Sequence, residues 1–384
     1  MITVLFPNTP YRAIEERYAS WQSHLLLSRS CEAVLSVDPS VPASEISLLV
    51  KTPFCAVVTT PLIVPPLKGA LDALRRELEN TDVYAAVPVA NDTSEAAQHR
   101  PSSQAYLTLR QLEEEAHLRL ESEEAPFEAS WKTADPGFFL IRSECLEGES
   151  RTLAKLLDEQ TVRVVPQAYF HRYAEHRSQV RTDLLELIDT SATTILEFGC
   201  GEGALGAALK KRQECRVVGI ELDPGAAAIA RTRLDAVHIG DVRSAIQELD
   251  EDFDWIVGGD VLEHLEEPWT FLQLLRGVAK PGGKLLLSLP NISAWPIVAD
   301  LLRGRFDYVY MGILCAGHLR FFTKDTVCDM LAIAGWGDVA LTDQWHFVTP
   351  EYERMTAALT AGGVPHSSSD LLPTGHYVVA TNLE

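Results

Sequence analysis

Ile195-Leu-Glu-Phe-Gly-Cys-Gly-Glu-Gly-Ala-Leu-Gly206 decides the fold of this chain. Ile195 to Phe198 reads as an apolar strand, and Ala204-Leu-Gly-Ala-Ala-Leu-Lys210 reads as a helix that follows at once. Between them, Gly199, Gly201 and Gly203 allow a tight turn and bring backbone close to a ligand that a Cβ would push away. The helix start adds N–H groups and a partial positive charge on the same side. Strand, glycine loop and helix together predict a site for a nucleotide-type cofactor, with Gly199, Cys200, Gly201 and Gly203 as loop contacts.

Gly201 to Gly206 also fits the G-x-G-x-x-G pattern of dinucleotide sites, a weak signal alone. Glu197 moves the reading to S-adenosylmethionine. A pyrophosphate gains nothing from a carboxylate at a strand end, whereas a sulfonium cofactor with an amino group does. The next strand, Arg216-Val-Val-Gly-Ile-Glu221, ends on an acid suited to both ribose hydroxyls, with Leu222 beside it. That acid would serve a nicotinamide dinucleotide equally well. His238-Ile-Gly-Asp-Val242 reads as the end of a third strand, with Asp241 and Val242 facing the adenine. Phe253 to His264 reads as a fourth strand emptying into a loop and helix. There Asp260 either anchors the methionine part or caps a helix beginning near Val261. Pro281-Gly-Gly-Lys-Leu-Leu-Leu-Ser-Leu-Pro290 reads as a turn into a fifth strand.

These five ordered motifs resemble the class I methyltransferases that use S-adenosylmethionine, over roughly residues 170 to 384. The resemblance implies a Rossmann-like seven-stranded sheet whose last strand is antiparallel, with Thr342 to Phe347 and Tyr377 to Ala380 as its final strands. Leu287 to Ser293, Leu302 to Tyr308, Met311 to Leu314 and His318 to Phe322 further resemble a bacterial subfamily. Its members often sit beside, or are fused to, glycosyltransferase domains in surface-polysaccharide synthesis. Members commonly carry Asp after the Gly-Ile-Leu, where this chain has Cys315.

At 384 residues the chain exceeds what one core usually holds, which predicts two domains, 1–165 and 166–384. A net charge of −21 argues against a nucleic-acid backbone or an anionic membrane as partner. No apolar run of membrane-spanning length occurs, and Met1 to Pro7 reads as a strand. The seven cysteines include no C-x-x-C pair, which fits reduced thiols in a cytoplasm and no metal site.

In the first domain, strands at Thr3 to Phe6, Ala33 to Val37, Phe54 to Val58 and Val83 to Val87 alternate with helices at Tyr11 to Leu27 and Leu67 to Leu78. This alternation predicts a parallel α/β sheet. A helix over Gln104 to Glu124 presents Glu113, Glu114 and Glu115 as a solvated face, and Phe138 to Ile141 is a further strand. The order resembles a shortened glycosyltransferase domain of the GT-A type, carried by Val57 to Pro66, Leu67 to Leu78 and Asp135 to Arg142. That family places acids for a divalent metal where this chain has Thr59, Thr60 and Pro61. Threonine hydroxyls ligate such metals poorly, so metal-dependent sugar transfer is not expected. Gln167 to Ile188 reads as a connecting helix whose Tyr169 and Tyr173 are lid candidates.

Methyl transfer is an in-line displacement in which the cofactor carries the electrophile, so the protein aligns the nucleophile and excludes water. A hydroxyl acceptor also needs a base, for which histidine is suited. His264 and His318 are the candidates. Residues 291 to 322 are the expected acceptor cap, with Arg303, Arg305 and Arg320 for an anionic or polyhydroxyl substrate. The reading is an S-adenosylmethionine-dependent O-methyltransferase acting on a sugar or glycan, with other polysaccharide-biosynthesis enzymes as partners. A bifunctional glycosyltransferase/methyltransferase and a non-catalytic scaffold are the alternatives.

Overall fold

The computed structural model describes residues 1–8, 14–60, 63–64, 68–80, 82–91, 108–131, 137–172, 179–345 and 348–383. It divides into two compact units, Met1–Ala174 with Asp307–Ala316, and Glu175–Phe306 with Gly317–Glu384. The first unit therefore reaches past the expected boundary at 165, and it takes in part of the expected cap. No described helix is long and apolar enough to cross a membrane.

In the first unit the strands are β1 Ile2–Pro7, β2 Ala33–Val37, β3 Phe54–Val58, β4 Ile63–Val64, β5 Ala85–Ala90, β6 Phe127–Ser130, β7 Phe138–Arg142 and β8 Thr161–Arg172. They form one sheet in the order β2-β1-β3-β7-β5-β8-β4, with β6 on β8. The sheet is mixed, not parallel: β1, β2 and β3 run together, but β7 is antiparallel to both β3 and β5. Leu71, Leu74 and Leu78 of the helix Lys68–Asn80 bury their stripe against this sheet, as their spacing predicts. Cys315 is buried in this unit, and its thiol donates to the Tyr310 carbonyl.

Two expectations fail here. The expected helix from Gln167 begins inside β8, a strand paired in parallel with β5. Thr161-Val-Arg-Val-Val165 is β-branched and shields alternate residues, which favours a pleated strand over a helix. The helical leucine pattern further on belongs only to the short helix Thr182–Leu187. Tyr169 is a core residue of β8, so it is not a lid; Tyr173 lies outside the described residues. The acidic face also loses a member. Glu115 in the helix Leu109–Leu120 is fully buried and paired with Arg119 at 3.1 Å, since an arginine one turn away can follow it inward. Parts of other expected segments lie outside the described residues: 11–13 and 104–107 of two helices, 61–62 and 65–67 after β3, 135–136 before β7, and 346–347 of a late strand.

The second unit holds β9 Thr194–Phe198, β10 Arg216–Glu221, β11 Ala236–Ile239, β12 Phe253–Gly259, β13 Ala279–Pro290, β14 Trp336–Asp343 and β15 Gly375–Asn382. Their order is β11-β10-β9-β12-β13-β15-β14, and β15 runs antiparallel to both neighbours. The expected seven-stranded sheet is present. Central strands read as unbroken apolar runs because helices cover both faces. The predicted Pro281-Gly-Gly turn lies within β13, at a register shift where Gly282 has φ +73°. The order of strands reverses at β9, whose parallel neighbours are β10 and β12. Its carboxyl end is therefore the switch point at which open α/β sheets bind ligands.

Candidate functional site

The glycine loop leaves β9 with Gly199, Gly201 and Gly203 all at positive φ, between 54° and 74°. A Cβ on Gly199 would come within 2.4 Å of Val261 Cγ2, so the loop accepts no side chain there. Its amides brace it internally. Gly199 and Cys200 donate to the Ile220 carbonyl, and Gly201 donates to Glu221 Oε2 at 2.8 Å. These three loop N–H groups are therefore engaged within the protein. The cause is the parallel neighbour β10, whose end supplies acceptors within reach.

Glu221 also accepts from Asp223 N–H through Oε1, at 2.8 Å. A carboxylate oxygen has two acceptor positions, so each retains one for a ribose hydroxyl. Leu222, 70 % exposed, stands next to it as an apolar surface for a base. Asp241 at the end of β11 caps the helix Val242–Ile246 through Oδ1. Its carboxylate is half-exposed, while Val242 is buried in the core.

Glu197 and Cys200 point inward. The Glu197 carboxylate accepts from Gly206 N–H at the helix start, and Oε2 has no hydrogen-bond partner among the described residues. Burial pushes its pKa up to about 8, and the neighbouring Glu221 charge pushes the same way. The Cys200 thiol packs against Gly219 of β10, where an added Cβ would lie 2.6 Å from Sγ. Its side chain belongs to the core, leaving only its backbone at the loop surface.

Asp260 follows β12 at φ +56°, a left-handed position rare for a residue with a side chain. It caps no helix; the following turn, Leu262–His264, begins after Val261. Asp260 instead accepts from Ser288 Oγ at 2.6 Å and pairs with Arg181. Arg181 bonds Asp183 as well, Tyr377 donates to Asp183, and Gln344 donates to Ser288. Burial alone would raise the Asp183 pKa, but the Arg181 and Tyr377 bonds outweigh it and hold the carboxyl below its usual range. The network ties β12, β13 and β15 to the helix Thr182–Leu187. Arg181 escaped the sequence reading because no motif marks it.

His264 ends the short turn after β12 and does not open a helix; the helix proper is Pro268–Arg276, delayed by Pro268. Its Nδ1 donates to the Gly317 carbonyl at 3.1 Å, and its ring meets that of His318 edge to face, centroids 4.7 Å apart. The two sequence candidates are therefore neighbours. The Glu263 carbonyl accepts from both Leu319 and Arg320 N–H, which fixes the backbone immediately after His318. Asn291 is pinned in turn, through Thr374 and Pro373 carbonyls, and Ile292 N–H donates to Phe322. The arginines are less available than expected. Arg303 binds the Ala299 carbonyl and Glu351, and Arg320 reaches the Glu266 carbonyl while lying over Trp269. Both cap a chain turn, as arginines beside free carbonyls do. Arg305 sits just past the helix Trp295–Leu302, its N–H on the Asp300 carbonyl.

At this edge, Glu221, Asp241 and Asp260 give three partly exposed acids around a backbone loop, which fits a cationic nucleoside better than a pyrophosphate. Residues 169–341 match a family model described as a methyltransferase domain. A probable S-adenosylmethionine-dependent methyltransferase of Mycobacterium tuberculosis is 29% identical over 48% of this chain and 63% of its own length. A ubiquinone biosynthesis O-methyltransferase of Ruegeria pomeroyi is 27% identical over 37% of this chain and 58% of its own. The chain thus spans less than two thirds of these relatives. A solved SAM-dependent methyltransferase from Archaeoglobus fulgidus is 16% identical, with a TM-score of 0.40 over 52% of this chain and 91% of that one.

Proposed function

We propose that this chain, which carries a class I S-adenosylmethionine-dependent methyltransferase domain, methylates a hydroxyl oxygen of a sugar or glycan intermediate. The observation that carries the reading is the Glu221 carboxylate, clamped on Gly201 and Asp223 N–H with acceptor capacity to spare. Glu221 holds the ribose, Leu222 lies along the base, and Asp241 and Asp260 supply negative potential for the positively charged cofactor. When bound, S-adenosylmethionine supplies the electrophilic methyl carbon. His264 and His318 stand where the acceptor hydroxyl is deprotonated, and Arg305 orients the acceptor. An oxygen acceptor is in keeping with the O-methyltransferase relative.

The glycan class rests on the likeness of residues 287 to 322 to polysaccharide-associated enzymes, and on reading the first unit as a GT-A-like domain. Thr59 and Thr60 follow β3 where that family has acids, so this reading assigns the first unit no metal-dependent sugar transfer. The test pairs calorimetry with S-adenosylmethionine against an S-adenosylhomocysteine release assay over a panel of sugar acceptors. Binding in the micromolar range and release with a sugar acceptor are expected. Absence of cofactor binding by the folded protein would refute the reading, and release only with amine acceptors would refute its oxygen specificity. His264→Ala and His318→Ala should cut turnover by about 10²–10⁴ while leaving cofactor affinity in place.

A further inference from the structure

Glu263 is fully buried, and neither of its carboxylate oxygens has a hydrogen-bond partner among the described residues. Leaving such a group unpaired is costly, and a native protein rarely does so without a purpose. Its Oε1 lies 3.8 Å from His318 Nε2, and one ligand atom from each of Glu263, His264 and His318 falls within 4.8 Å of the others. Ligands bound at about 2.0–2.1 Å around a tetrahedral ion stand roughly 3.4 Å apart, so a small side-chain adjustment closes this set on one ion.

The surroundings support the same assignment. His264 gives its Nδ1 proton to the Gly317 carbonyl, which leaves Nε2 as the lone-pair nitrogen, the arrangement usual behind metal-bound imidazole. The Glu263 backbone carbonyl anchors Leu319 and Arg320, so the third donor is held by the same residue that supplies the first.

We propose that Glu263, His264 and His318 form a binding site for one divalent first-row transition ion of the zinc class. Two imidazoles and a carboxylate suit zinc, manganese or cobalt and disfavour magnesium. The ion's role rests on the methyl-transfer reading; its binding does not. In that role the ion, held by the two histidines, would replace them as the agent of deprotonation: the acceptor hydroxyl would coordinate it and lose its proton to a solvent base. The resulting oxygen forms a bond to the methyl carbon as the carbon–sulfur bond breaks, the electron pair returning to sulfur.

The experiment treats the full chain with chelator, dialyses it, and titrates it with Zn²⁺ and Co²⁺ while calorimetry with S-adenosylmethionine is run on the same samples. One equivalent of tightly held zinc is expected, with Co²⁺ giving visible ligand-field bands. His264→Ala and His318→Ala should each weaken zinc binding at least tenfold. Glu263→Gln, nearly isosteric, should do the same with an unchanged circular dichroism spectrum. Pulsed electron paramagnetic resonance of the Cu²⁺-loaded parent, which needs no variant to fold, should show two imidazole nitrogens. No stoichiometric zinc, fewer than two imidazoles, or affinity untouched by these substitutions would overturn the site. Cofactor binding with no zinc binding defeats this proposal alone, whereas zinc binding with no cofactor binding defeats the methyl-transfer reading alone.

Discussion

Glu221 accepts the Gly201 N–H at 2.8 Å, so the acid at the end of one strand sets the shape of the loop leaving its neighbour. One carboxylate thus shapes the backbone and, in the proposed function, also receives the ribose.

Removing it should damage both. Hydrogen bonds to a charged group contribute about 1.5–3 kcal/mol each, so Glu221→Ala should weaken S-adenosylmethionine binding roughly 10–100-fold or more. Glu221→Gln keeps an acceptor for Gly201 and should lose less. Calorimetry on the two variants checks the order; equal affinities to the parent would deny the carboxylate its role.

Glu197 makes stability depend on pH in a specific direction. Burial raises its folded pKa from 4.5 to about 8. The neutral carboxyl's contribution is therefore whole below the unfolded value and disappears as pH climbs through the folded one. The urea midpoint of the cofactor-free protein should fall between about pH 5 and pH 8.5, and Glu197→Gln should flatten that fall. Parallel pH profiles for parent and variant would remove Glu197 as the cause.

Gly258 in β12 lies under the Phe198 ring, where an added Cβ would stand 1.9 Å from Cζ. Phe198 also packs edge to face on Phe271, centroids 5.2 Å apart, and has no room to swing away. Gly258→Ala should destabilise the protein by about 1–3 kcal/mol through overpacking. Chemical denaturation measures it, and a change under half a kilocalorie would mean the ring yields freely.

The Arg181–Asp260 pair should show positive coupling in a double-mutant cycle of Arg181→Ala and Asp260→Asn. Arg181 is 34% exposed, so solvent screening limits the expected interaction to about 1 kcal/mol. Additive single effects would show that Ser288 and Asp183 hold the two side chains independently.

The sequence made the switch point legible because glycine spacing, strand-end acids and apolar runs act locally, within β9, β10 and the loop between them. It put Glu221 and Leu222 at the sheet edge, where the structure has them. It did not show that the Glu197 and Cys200 side chains are buried, since a strand's period says which face a side chain takes but not how closely the next helix packs over it. The end of β8, from Gln167, reads as a helix in sequence because a short apolar run carries both patterns, and only pairing with β5 separates them. Glu263 was invisible for another reason. Next to a histidine after a strand it reads as an ordinary first-turn acid, and its isolation exists only once residues 317–320 fold over it.

Those bonds from Leu319 and Arg320 to the Glu263 carbonyl, with Asn291 and Ile292 pinned at the other end, have an evolutionary consequence. His318 comes just before the second post and His264 is tied to Gly317, so side chains further back toward Ser293 can change without moving either imidazole. Under the proposed methyl-transfer reading, such changes would alter acceptor preference while the histidine pair keeps its place.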